Sequence, residues 1–115
     1  MERLKHVAAE ILELQPFVDA DPDKDSVEVT VILTVPNSTV SVLKIDGRFV
    51  QRDASGVAKV RLEPGHHVMA WRLYAAPESE YTVGILAPPE TAWKPEPPMR
   101  TDSTGFGGNE CEFDV

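Results

Sequence analysis

The sequence predicts a mainly β protein: an immunoglobulin-like β-sandwich of six or seven short antiparallel strands. Two observations carry this. Apolar and polar residues alternate in several short runs, as in Val27, Val29, Val31, Leu33 and Val35. Turn signals recur every 8–12 residues between those runs. The 115 residues fit one domain, with the β core over 26–86. A chain of this size buries roughly two thirds of its unfolded surface, enough for one core.

Residues 2–14 read as a helix, because Leu4, Val7, Ile11 and Leu14 form one apolar stripe and Gln15-Pro16 ends it. That helix is either a lid on the β core or a contact for a partner. An acidic loop, VDADPDKDS, follows and leads into the first strand. The second strand spans Thr39–Ile45, with Val40 and Val42 on one face and Leu43 and Ile45 on the other. A bulge or burial on both faces would account for that change of phase. Asp46-Gly47 suits a two-residue type I′ hairpin, in which Ile45 opposes Arg48 and Leu43 opposes Val50.

Asp53-Ala54-Ser55-Gly56 makes the next turn, and Val57–Leu62 the next strand. Glu63-Pro64-Gly65 turns the chain into His66–Ala75, whose heavy face is Met69, Trp71 and Leu73. Tyr81–Leu86 follows, with Tyr81, Val83 and Ile85 in phase. Residues 87–110 read as an extended arm, rich in proline and then in glycine, and 111–115 as an edge strand. Meander order is the local default. No repeat with a period of 20–50 residues stands out.

Between Val40 and Leu73, VSVLKIDGRFVQRDASGVAKVRLEPGHHVMAWRL resembles a PEGA-type domain. Three features in order carry the resemblance. A strand leads into Ile45-Asp46-Gly47, a short strand leads into a polar turn, and a strand ends in Leu62-Glu63-Pro64-Gly65-His66 before an alternating strand. The family's threonine-proline step is replaced by Asp53-Ala54-Ser55-Gly56. The resemblance implies a small β-sandwich serving as an accessory binding or surface module, with no catalytic residues to carry over.

The net charge is −8, unevenly spread. Residues 31–76 carry six Lys/Arg against three acids, while each flank carries eight acids against two or three bases. Either the acidic flanks neutralise the basic core, or they present an acidic surface to a basic protein. Such a chain is unsuited to nucleic acid. No apolar run approaches the roughly 20 residues needed to span a bilayer, and the N-terminus lacks a secretory h-region. The expectation is a cytoplasmic protein with no membrane partner.

Motifs for chemistry are thin, so no enzyme activity, cofactor or metal is expected. Asp19, Asp21, Asp23 and Asp25 alternate as in a calcium loop, but Lys24 stands where glycine is needed and Thr30 where a bidentate acid is needed. His66 and His67 point to opposite faces of a strand, and His6 and Cys111 have nothing local to bring them together. Glu110 and Glu112 flank Cys111 and should raise its thiol pKa. Gly105-Phe106-Gly107-Gly108 lacks the lysine and helix of a phosphate loop and reads as a flexible loop.

The expected function is a non-enzymatic protein-binding module, such as an acidic inhibitor, immunity or adaptor protein. Its docking residues are Trp93, Tyr81, Asp19, Asp21, Asp23, Asp25 and Glu96. Trp93 either anchors the proline-rich arm to the core or stands out as a docking aromatic. The alternatives are a small-ligand or carbohydrate-binding domain that uses exposed aromatics, and a self-assembling subunit with an uncovered edge strand.

Overall fold

The structure, a computed structural model, describes residues 15–23, 25–36 and 40–115. The helix expected over residues 2–14 lies outside them, together with His6 and Lys24. The described residues hold strands β1 (Val27–Thr34), β2 (Val40–Ile45), β3 (Arg48–Phe49), β4 (Val57–Leu62), β5 (His66–Tyr74), β6 (Glu80–Ala87), β7 (Met99–Arg100) and β8 (Phe106–Asp114). They form two four-stranded antiparallel sheets, ordered β4-β1-β6-β7 and β3-β2-β5-β8. No helix is found among the described residues.

Alternation decides which faces meet. Val29, Val31 and Leu33 of β1, with Val60 and Leu62 of β4 and Tyr81, Val83 and Ile85 of β6, line one wall of the core. Leu43, Ile45, Met69, Trp71, Leu73 and Phe113 line the other. Complete burial of such a side chain contributes roughly 1.5–3 kcal/mol before the loss of chain entropy is subtracted. Trp71 is the largest fully buried group. Its Nε1–H donates to the Tyr81 hydroxyl across the core at 3.1 Å, so its polar atom is satisfied.

Meander order is not what forms. β1 lies between β4 and β6, and β5 between β2 and β8. Most turns carry the chain from one sheet to the other, so successive apolar faces meet across the core instead of pairing edge to edge. The phase change in β2 is double burial: Val42 and Leu43 are both fully buried, and the β2–β5 register runs unbroken from Val40 to Ile45. The Asp46-Gly47 hairpin forms as expected, with φ of 52° and 78°, Ile45 opposite Arg48, and the Val50 N–H on the Leu43 carbonyl at 2.8 Å.

Two boundaries differ from expectation. The arm over residues 87–110 is not connector throughout, since it holds β7, which pairs with Glu80 and Tyr81 of β6, and Trp93 bridges to Ile85. The last strand starts at Phe106 rather than at 111 and pairs with β5 over all nine of its residues.

Arg52 ties the sheets together near one end. Its guanidinium donates to the Leu33 carbonyl of β1 at 2.7 Å and to the Ser41 hydroxyl and carbonyl of β2 at 2.7 and 3.2 Å. Burial lowers its pKa from the ordinary value, yet arginine stays charged. Arg52→Met should destabilise the protein by about 2 kcal/mol, because the partly buried oxygens lose a charged donor. Urea unfolding measures this, and Arg52→Lys should restore only part of the loss.

Candidate functional site

The residues singled out from the sequence do not form one patch. Tyr81 is 4% exposed and belongs to the core, so it is unavailable for docking. Trp93 is half-buried, exchanges two backbone hydrogen bonds with Ile85 and sets its ring 6.1 Å from that of Trp71. It therefore anchors the arm. Glu96 is exposed on that arm. Asp19, Asp21, Asp23 and Asp25 are exposed at the opposite edge of the β4-β1-β6-β7 sheet, where Asp19 Oδ1 accepts from the Arg61 N–H at 2.8 Å. Asp21 Oδ1 accepts from the Asp23 N–H at 2.9 Å. Among the described residues no group of three or more His, Cys, Asp or Glu is placed to hold a metal ion.

Each sheet has two edges, and three of the four are largely covered. At β3, Phe49 exchanges backbone bonds with Gln15 and Phe17. At β4, the Asp53 main chain and side chain cover Val57, and Asp19 and Ala20 cover Arg61, which leaves Lys59 between them. Residues 15–20 thus strap the β3 edge of one sheet to the β4 edge of the other. At β6, Trp93 and β7 cover Ile85, Tyr81 and Glu80.

The fourth edge is β8. Gly65 and Val115 exchange both backbone bonds, and the Ala75 N–H donates to the Gly105 carbonyl. Antiparallel alternation then aims the backbone groups of Gly107, Asn109, Cys111 and Phe113 at β5, and those of Phe106, Gly108, Glu110, Glu112 and Asp114 away from it. The ends of that outward row are capped: Asp102 bonds both backbone groups of Phe106, and Thr91 donates to the Asp114 carbonyl. In the middle, the Glu110 N–H reaches the Asn109 side chain at 2.9 Å. The backbone groups of Gly108 and Glu112 and the Glu110 carbonyl have no protein partner among the described residues. Glu110, Glu112 and Asp114 share the outer face of this edge, and all are exposed.

One loop design leads into both β4 and β8. In Asp53-Ala54-Ser55-Gly56-Val57 the aspartate Oδ1 accepts from the Ser55 N–H, the Ser55 hydroxyl and the Val57 N–H. In Asp102-Ser103-Thr104-Gly105-Phe106 it accepts from the Thr104 N–H, the Thr104 hydroxyl and the Phe106 N–H. Gly56 and Gly105 take positive φ of 85° and 90°. This Asp-x-Ser/Thr-Gly signal is legible in the sequence and marks Phe106 as a strand start, which is missed when residues 87–110 are taken as one arm.

At the end of β8 the two histidines take separate carboxylates. His66 presents Nδ1 to Asp114 at 3.1 Å and Nε2 to Glu112 at 3.3 Å. His67, on the other face, presents Nδ1 to Asp46 Oδ2 at 2.6 Å and Nε2 to the Glu63 carbonyl at 2.7 Å. Its ring lies 5.8 Å from that of Phe113. Neither oxygen facing His67 can donate, so both nitrogens are satisfied only in the imidazolium. Partial burial pulls the His67 pKa down, but the bonds to Asp46 and Glu63 outweigh it and the net shift is upward. Asp114 and then Glu112 raise that of His66. The Cys111 thiol is pushed up to about 11, by burial rather than by its acidic neighbours, which face away from it.

Comparisons with protein-family models, with curated proteins and with solved structures find no match to this chain.

A raised histidine pKa stabilises the fold fully below the unfolded value of about 6.5. That contribution is lost as pH rises through the folded value. The urea midpoint of the native chain should therefore fall between about pH 6 and pH 8, and the fall should be smaller in His67→Gln, measured in the same buffers.

Proposed function

We propose that this chain is a non-enzymatic protein-binding module that presents an acidic surface to a basic partner, built on an immunoglobulin-like sandwich. The observation that supports this most is where the cations go. Arg52 bonds to the Leu33 carbonyl and to Ser41, Arg61 to Ser26, and Arg72 to the Trp71 and Asn109 carbonyls. Among the described residues Arg100 alone of the arginines pairs with a carboxylate, that of Glu80. These central arginines thus bond to neutral oxygens, and the described acids of both flanks face solvent. Uncompensated surface charge of one sign steers association with the opposite sign.

The PEGA-like stretch over residues 40–73 favours the same class, an accessory binding domain. The carbohydrate-binding alternative loses its aromatic platform, because Tyr81 is buried and Trp93 lies against Trp71. Immobilised protein should recover a stoichiometric basic protein from native lysate at low salt and release it at high salt. Capture that ignores salt, or that selects acidic proteins, would contradict the reading.

A further inference from the structure

A row of unpaired backbone groups is a template for one more strand. Among the described residues the β8 edge supplies such a row at Gly108, the Glu110 carbonyl and Glu112, where the other three edges are largely covered. Resting on the acidic-module reading above, we infer that β8 receives an extended basic segment of the partner as an added antiparallel strand. The backbone groups supply the attachment, and the side chains supply the selection. Glu110, Glu112 and Asp114 recur at every second position on one face, so Lys or Arg at alternate positions of the incoming strand meet each of them.

The other charges on this face cancel the row only in part. Arg72 lies across Gly108 with Nη1 on the Trp71 carbonyl. His66 on β5 pairs with Glu112 and Asp114, which leaves Glu110, between the open groups of Gly108 and Glu112, with no cation on its carboxylate among the described residues. A second copy of the chain is the wrong occupant. Antiparallel pairing of the open row of β8 with itself would set Glu110 against its own copy, with each Glu112 diagonal to the other copy's Glu110, and like charges opposed across strands destabilise. The partner strand therefore has the opposite charge and comes from a different protein.

The test titrates the isotope-labelled full chain with the peptide Thr-Lys-Val-Lys-Val-Lys-Thr and follows backbone amides by NMR. Saturation should slow exchange of the Gly108 and Glu112 amides by at least roughly ten-fold. A peptide N-methylated at alternate amides should bind at least roughly ten-fold more weakly, since it cannot extend the ladder. Glu110→Lys/Glu112→Lys should abolish the effect, and the methylated peptide probes the same contact without altering the protein.

Peptide binding that leaves those amides unchanged would overturn strand addition while leaving the acidic-module reading intact. No binding would also overturn strand addition, and the acidic-module reading would then fall only if capture from lysate proved independent of salt. Protection of the same amides without peptide, with a doubled mass by light scattering, would overturn the inference in favour of self-pairing.

Discussion

Asp46 holds the register on which the rest of the molecule depends. It sits in the hairpin turn at positive φ, and its N–H donates to the Val68 carbonyl at 2.8 Å. Its Oδ1 accepts the Val68 N–H at 2.9 Å, and its Oδ2 takes His67. One side chain thereby locks the end of β2 to the start of β5. A slip of one residue would turn Met69, Trp71 and Leu73 outward and bring Val68, Ala70 and Arg72 into the core. Because β8 pairs with β5 along its whole length, the same lock sets which of its residues face outward. The core and the acidic edge are two consequences of one alignment.

Charge and packing are joined in the same way. A guanidinium that bridges two strands through carbonyl oxygens stabilises the fold without neutralising any carboxylate. Arg52 does this between β1 and β2, and Arg61 does it between β4 and Ser26. The charge asymmetry along the chain therefore becomes a surface property instead of an internal balance. Among the described residues Arg100, His66 and His67 are exceptions, since each faces a carboxylate, and the two histidines sit at the end of the molecule where β5 begins.

What could be read from the sequence was local. The alternation of β1, the Asp46-Gly47 hairpin and the inward Met69, Trp71 and Leu73 follow from neighbours in the chain, and the structure has each. What could not be read depends on distant partners. Tyr81 reads as a surface aromatic until Trp71 is seen to need an acceptor across the core. Gly107 reads as loop, yet it sits where a Cβ would press on Leu73 and the Tyr81 ring at 3.2 Å. The glycines that suggested mobility instead let β8 lie close to β5. The docking residues chosen from charge and aromaticity scattered for the same reason, while Glu110, Glu112 and Asp114 gain their meaning from an edge that only the pairing order reveals.

Hydrogen exchange along β8 in the free protein distinguishes, amide by amide, a paired side of the strand from an open one. The amides of Asn109, Cys111 and Phe113 should exchange slowly because they bond to β5, and those of Gly108 and Glu112 should exchange quickly because they face outward. Slow exchange at all five positions in the monomer would mean that the edge is already covered, and would contradict the account.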